Sequence, residues 1–505
     1  MHFPFRNQGQ SLQRGIQRIA PVLLAILVGG GVGALAIVAG NASTKWAGVI
    51  LIAVAAPAVA LLVNDIRKLI LIVLVVDIPL GIDIAIQNQE GHLGGPTGYI
   101  VSLMTIVLIV GYALWIIERK PQVRFFPQVT IPALLYLFMG VLSFYQSRNL
   151  QLSLFGLFLN CQFVLMYFYI VNHARTWADL HLIIVTMVVC LLLESALMVM
   201  QYFMGITLDL GMTSSYSLDG LASKGVTGPR VGGTIGTPNS AAVYLTPVLV
   251  LTFGAYLTGR LVDRRLALGA FFLGTIALIA TASRTAWGSF FIGMLILLSR
   301  AVRIDAGKKG VLLLLVGGLL LGIFFGAQMQ TRLAAAATDR TRPELAAMAY
   351  NIMRDYPWGV GENNYDQVMS DKYAHPNWVG HTLYPVHNKY LLVWSETGPQ
   401  GLVAFSLLLV AAAWQARRWL FRTDIAPHLF ILAAATLGAL VVYAFHMRME
   451  GFSSRTNLQQ LWFIITMMVV VNQLIAQTAS DVASARSQES GGRLSPIKLK
   501  SEESR

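Results

Sequence analysis

The sequence predicts an all-α fold: a polytopic transmembrane helical bundle of about 12–14 spans, with a large, partly helical loop on one side. Three observations predict it. Hydrophobic residues make up 56% of the 505-residue chain and charged residues only 12%, with a mean hydropathy of +0.63. Apolar runs of about span length follow one another along most of the chain. Lys and Arg alternate by loop, one loop basic and the next nearly bare, as the positive-inside rule requires of a multi-pass protein.

In order, the expected spans are 19–40, 46–63, 69–86, 99–117, 130–145, 151–171, 181–205, 240–258, 266–282, 285–299, 310–327, 399–415, 427–445 and 459–475. The start of the chain resembles a signal peptide, with Arg6, Arg14 and Arg18 before an apolar run. It lacks a convincing small-residue cleavage site and many spans follow, so it reads as an uncleaved first helix. The break between the spans ending at 282 and starting at 285 rests on Thr281-Ala282-Ser283-Arg284. Transmembrane helices therefore occupy 1–205, 240–327 and 399–475. The loops 206–239 and 328–398 separate them, and a polar, Ser-rich cytoplasmic tail, expected to be disordered, covers 476–505. No internal repeat is visible.

Both termini are expected in the cytoplasm. Arg67 and Lys68, Arg119 to Arg124, Arg260 to Arg265, Arg300 to Lys309 and Arg417 to Arg422 then all fall on the cytoplasmic side. This anchoring accounts for most of the net charge of +13, so nucleic acid is not called for. The two outside loops break the pattern, since they hold Arg230, Arg332, Arg340, Arg342 and Arg354. The 328–398 loop is too long for a plain connection. Thr341-Arg342-Pro343-Glu344 reads as a capping box, followed by an apolar face of Leu345, Met348, Ala349, Ile352 and Met353. A second short helix is expected from Val386 to Glu396, stopped by Gly398 and Pro399.

Candidate chemistry gathers on the outer side. The spans starting near Ser240, Thr285 and Pro399 present their N-termini there, with unpaired N–H groups and the positive dipole end. Arg230 precedes the first and Arg284 opens the second. Two guanidiniums beside two helix starts suit a diphosphate, each binding phosphate oxygens bidentately. The plain alternative is arginines snorkelling to lipid headgroups. His375, His381 and His387 lie six apart. That spacing puts no pair on one helical face and no Cys or carboxylate is near, so no metal site is expected. One histidine acting as a base near neutral pH is the simpler chemistry. Asp77, Asp83 and Glu194 lie inside apolar runs. They fit either a proton relay or pairing with outer arginines. Cys161 and Cys190 lie in apolar runs and no disulfide is expected. The Gly29–Gly33 run sits in a span without a preceding strand and is no nucleotide loop.

Arg230-Val-Gly-Gly-Thr-Ile-Gly-Thr-Pro-Asn239, Thr281-Ala-Ser-Arg284-Thr, Arg342 through Asp355-Tyr-Pro-Trp-Gly-Val-Gly361-Glu-Asn-Asn-Tyr365, His387-Asn388-Lys-Tyr-Leu391 and Glu396-Thr-Gly398-Pro-Gln-Gly401-Leu together resemble the O-antigen ligase and O-antigen polymerase superfamily. The resemblance covers about 225–405 and is most specific from His387 to Gly401. It implies a cofactor-free, metal-independent glycosyltransferase of the bacterial inner membrane with its site facing the periplasm. The donor would be an undecaprenyl-diphosphate-linked glycan, and the acceptor lipid A-core or another glycan. It also implies that Arg230 and Arg284, joined by Arg342, bind the diphosphate and that His387 is the base. Asn239, Asn388 and Glu396 would support them. A polymerase of the same superfamily is the alternative within this class. A polysaccharide flippase is the alternative of another class, but it calls for an inverted repeat. A non-catalytic scaffold would leave the clustered Arg and His without a role.

Overall fold

The computed structural model describes residues 65–81, 83–89, 91–117, 128–205, 230–302, 308, 310, 311, 326, 341–373, 385–421 and 425–491. The expected spans 19–40 and 46–63 and nearly all of 310–327 lie outside these residues, as do Arg332, Arg340, His375 and His381. The rest is a polytopic helical bundle. Six helices are long and apolar enough to cross a membrane: Leu150–His173, Trp177–Met204, Pro238–Thr258, Lys389–Leu420, Pro427–His446 and Arg455–Val482.

Elements are numbered along the described residues. Helix α1 is Ile66–Leu80, strands β1 and β2 are Asp83–Ile86 and Tyr99–Ser102, and α2 is Leu103–Ile117. Helices α3 (Thr130–Leu142), α4 (Leu150–His173), α5 (Trp177–Met204), α6 (Pro238–Thr258), α7 (Arg264–Ala280) and α8 (Arg284–Ala301) follow. Then come α9 (Thr341–Asp355), the short α10 (Tyr365–Val368), α11 (Lys389–Leu420), α12 (Pro427–His446) and α13 (Arg455–Gly491).

Helix α6 is the axis of the bundle. It is apolar all round, and nearly every residue from Ala241 to Ala255 is buried, as expected of a helix with neighbours on every side. Small residues let its neighbours close in. Gly254 meets Ala435 of α12, and Gly293 of α8 faces Gly438 of α12, which is how apolar helices gain contact where lipid offers no hydrophobic driving force.

Two expectations need correction. The run 69–86 is not one span, because α1 stops at Leu80 on the left-handed Gly81. Residues 83–86 instead form β1, pairing antiparallel with β2 from Asp83 opposite Ser102 to Ile86 opposite Tyr99. The helix of the 99–117 run therefore begins only at Leu103. Asp83 explains part of this, since its carboxylate lies 3.2 Å from Arg455 Nε at the head of α13. The break at 281–285 is observed: Thr281 caps α7, Ala282 takes a left-handed φ of 52°, and Ser283 is the N-cap of α8.

The helix ends sort into two groups. At one end Gln128, Gln415 and Trp419 all bond Asn472, and Trp177 bonds Thr478. At the other end lie the heads of α4, α6, α8, α11 and α13, the tails of α1, α3 and α12, and the segments 230–237, 341–373, 385–388 and 447–454. All candidate site residues that the structure describes are at this second end.

Candidate functional site

Four segments build a cluster around one carboxylate. The first is the 230–236 loop, fixed from below by Glu194. That carboxylate lies 2.8 Å from Thr234 N and 2.7 Å from its hydroxyl, and the hydroxyl also reaches the Pro79 carbonyl at 2.9 Å. Gly233 has a φ of 61°, and a Cβ there would sit 1.8 Å from Glu194 Oε1, so only glycine lets the loop settle this deep. Glu194 thus fastens the loop that carries Arg230. Asp77 and Asp83 pair with Arg455.

Arg230 leaves the loop half-buried. Its Nε donates to the Thr281 carbonyl at 2.9 Å, and its Nη2 donates to Asn239 Oδ1 at 2.7 Å. The first contact uses the negative C-terminal end of α7. The second reaches the opening turn of α6, whose N-cap Thr237 accepts from Ser240 N and whose first residue is Pro238. Asn239 turns its amide the other way, Nδ2 donating to Glu450 Oε1 at 3.0 Å. The same oxygen accepts from Arg342 Nη2 at 3.3 Å. Arg342 opens α9, whose face Leu345, Ala349 and Ile352 is buried as the sequence predicts. Glu450 is only 14% exposed. Burial pushes its carboxyl up to about 7, although Arg342 and Arg230 pull the other way.

Arg284 is half-buried at the first position of α8, three residues past the carbonyl that holds Arg230. Helix α8 runs antiparallel to α12, with Gly293 at the level of Gly438 and Val442. At 1.5 Å per residue this brings Arg284 level with the tail of α12.

His387 sits on the turn that faces this cluster. Lys389 N donates to Met447 O at 2.8 Å, and Asn388 N to Val386 O at 2.8 Å. Gly451 packs against the Val386 carbonyl, so the 385–388 turn rests on the turn that bears Glu450. His387 Nδ1 lies 3.2 Å from Pro385 O. A carbonyl only accepts, so this bond places the ring proton on Nδ1 and leaves the lone pair of the neutral ring on Nε2. Asn388 is the N-cap of α11, accepting from Tyr390 N and Leu391 N at 3.0 and 3.2 Å. It thereby orients the residue before it. Asn388→Ala is expected to destabilise the protein by about 1 kcal/mol and to lower activity further by loosening His387. Equal loss of thermal midpoint with unchanged turnover would remove Asn388 from the site.

Glu396 does not join the arginines in any of these contacts. It is buried one helical stretch on, where Oε1 accepts from Tyr365 N at 3.4 Å. The cluster here holds Glu362, whose Oε1 accepts from Asn160 at 3.1 Å and whose N–H donates to Ser143 Oγ at 2.9 Å. Burial raises the Glu362 carboxyl, with Lys389 and Asn160 opposing. Asn364 bonds Ser153, Ser147 and Asn149, and Asn363 bonds Leu152 O and Pro96 O. The Gly361-Glu-Asn-Asn-Tyr365 motif is thus a fastener that ties the 341–373 segment to α4 and to the loop before β2.

The first stretch of α11 starts at Lys389, where Asn388 caps it, and runs to the stop expected at Gly398; the apolar span follows from Pro399. The helix is interrupted at Gly398, whose φ is 73° and ψ −179°. Pro399 offers no N–H, so the Ser395 carbonyl accepts instead from Val360 N at 2.9 Å, and Glu396 O accepts from Gly361 N at 2.9 Å.

Sequence reasoning missed Glu450 and His446. Glu450 lies in the short turn between α12 and α13, where Arg448, Glu450 and Arg455 stand together. That charge density on the basic-poor side was the available signal. His446 is fully buried at the tail of α12, and among the described residues neither ring nitrogen has a hydrogen-bond partner. Among the described residues no group of three or more His, Cys, Asp or Glu is placed to hold a metal ion.

No curated protein matches the chain. Residues 269–406 match the family model described as O-Antigen ligase. That stretch contains Thr281 to Arg284, Arg342, the 355–365 motif and the run from His387 to Gly401, and over it the chain is similar to that family.

Proposed function

We propose that the protein transfers a glycan from an undecaprenyl-diphosphate carrier to an acceptor hydroxyl on the periplasmic face of the bacterial inner membrane, as an O-antigen ligase. The observation that carries this reading is the convergence of Arg230 and Arg342 on Glu450, with the His387 turn resting on the Glu450 turn. The donor sugar leaves on a diphosphate, a good leaving group once its charge is met. Arg230, Arg284 and Arg342 supply that charge, and the start of α8 adds N–H groups beside it. The acceptor hydroxyl is a poor nucleophile until His387 Nε2 takes its proton. One displacement inverts the anomeric carbon, and the proton ends on the histidine. No metal or cofactor is called for. Bonds to Thr281, Asn239 and Glu450 speak against simple snorkelling for Arg230 and Arg342.

Purified protein in nanodiscs, given lipid-linked glycan and acceptor, tests this. Arg230→Ala, Arg284→Ala and Arg342→Ala should each weaken donor binding by about 1.5–3 kcal/mol, the range for a charge-assisted hydrogen bond. Lysine should restore part of it, keeping the charge without the fork. Normal turnover in the alanine variants would reject the diphosphate site. In cells, deletion should leave full-length lipid-linked glycan unattached; glycans shortened to one repeat would point to a polymerase.

A further inference from the structure

The arginine cluster contains a carboxylate that competes for the same positive charge as an incoming anion. Glu450 Oε1 accepts from Arg342 directly and from Asn239, which relays Arg230. We propose that Glu450 is a resident counter-anion: it holds the arginines in register in the empty site and takes up one proton when a diphosphate binds. This rests on the diphosphate reading above and adds a proton to it.

The argument is electrostatic. A diphosphate at Arg230 and Arg342 places its charge within a few ångströms of a carboxylate that is mostly out of water. Like charges at that distance favour the neutral form of the weaker acid. The groups that act on Glu450 are Arg342 on α9, Arg230 on the loop and Asn239 on α6; His446 and Arg448 stand four and two residues before it in the chain, and the His387 turn packs against its turn. In the empty site the arginines and burial oppose each other and leave Glu450 near neutrality, so a modest added charge suffices to protonate it. A protonated carboxyl still accepts through its carbonyl oxygen, so the hold on Asn239 survives. When the carrier diphosphate departs, the proton leaves and the carboxylate again pairs with Arg342. No bond to carbon or phosphorus is involved; the proton comes from and returns to water.

The experiment uses the full-length protein in nanodiscs and undecaprenyl diphosphate as the probe, titrated calorimetrically from pH 6 to 8.5. Buffers of different ionisation enthalpy count protons. In the wild type, affinity should fall with rising pH above neutrality, by up to about tenfold per unit for one linked proton. Glu450→Gln keeps the acceptor oxygen without the charge. It should bind more tightly at pH 8, with the slope flattened and about one proton fewer taken up. The difference between the two proteins cancels titration of the diphosphate itself. If Glu450→Gln does not accumulate, the wild-type proton count stands alone: uptake increasing through neutrality supports the proposal, and none overturns it. A Gln variant with wild-type slope and proton count overturns the proposal and leaves the diphosphate reading intact. Absence of binding to the wild type overturns both.

Discussion

Replacing His387 with alanine is expected to lower glycan transfer by about 10²–10⁴-fold, the usual contribution of a positioned base, while the protein still inserts and still binds lipid-linked donor. The division of labour in the site is the reason. Arg230, Asn239, Arg342 and Glu450 form one bonded group. His387 is attached to the adjoining turn through its own backbone, with Nδ1 on Pro385 O. On the proposed reading, removing the imidazole takes away the proton acceptor and leaves the anion site standing. Single-turnover assays should show a loss in the chemical step with donor affinity within about twofold of wild type. A parallel loss of donor binding would place His387 on the donor instead. His375→Ala and His381→Ala should be far milder, and chelators should have no effect. Equal inactivation by all three substitutions, with loss in chelator, would revive a metal.

Arg455→Ala is expected to destabilise the fold by about 3–5 kcal/mol, the range for removing one partner of a buried ion pair. Arg455 Nη1 lies 2.8 Å from Asp77 Oδ2, Arg455 Nε lies 3.2 Å from Asp83 Oδ2, and Gln459 Nε2 donates to Asp77 at 3.1 Å. Asp77 is fully buried and Arg455 nearly so. Without the guanidinium, Asp77 keeps only an amide. The head of α13, the tail of α1 and the first strand then lose their common tie. Thermal unfolding in detergent should show a large drop in midpoint. Combining Arg455→Ala with Asp77→Asn should give back part of it, since the stranded charge is then gone. An Arg455→Ala protein with an unchanged midpoint would show that the cluster contributes no net stability.

Much of this was legible in the sequence, and what escaped has physical causes. Span positions follow from hydropathy, so α4 to α8 and α12 start and end close to expectation, whereas α13 runs on to Gly491, past the expected end at 475 and into the stretch read as a disordered tail. The buried face of α9 followed from the helical spacing of Leu345, Ala349 and Ile352, and the stop at 398 from Gly-Pro. The hairpin did not follow. Asp83–Ile86 and Tyr99–Ser102 are four-residue apolar stretches abutting longer apolar runs, and such stretches cannot be told from helix by period. Arg230, Arg284 and His387 stood out because charge at those places has no topological reason. Glu450 did not, because its meaning depends on Arg230, Asn239 and Arg342 arriving from three distant parts of the chain. Glu396 carried a motif but not its partners, and its partners place it with the fastener.

The interruption of α11 at Gly398 divides one long helix between two masters. Beyond it, the exposed residues Val403, Leu407, Val410 and Trp414 form one stripe at helical spacing for lipid. Before it, Ser395 and Glu396 are tied to the 360–361 backbone and Lys389 to Met447. An unbroken rod would carry any tilt of its span to its tip. His387 stands about 30 Å from the middle of that span along the axis, so a tilt of about 10° to match a thicker or thinner bilayer would swing it by about 5 Å. A displacement of even about 1 Å is enough to slow a reaction about 10²-fold. With the joint at Gly398, the membrane half can follow the bilayer while the 389–397 half stays clamped to its neighbours, which on the proposed reading insulates the chemistry from changes in lipid thickness.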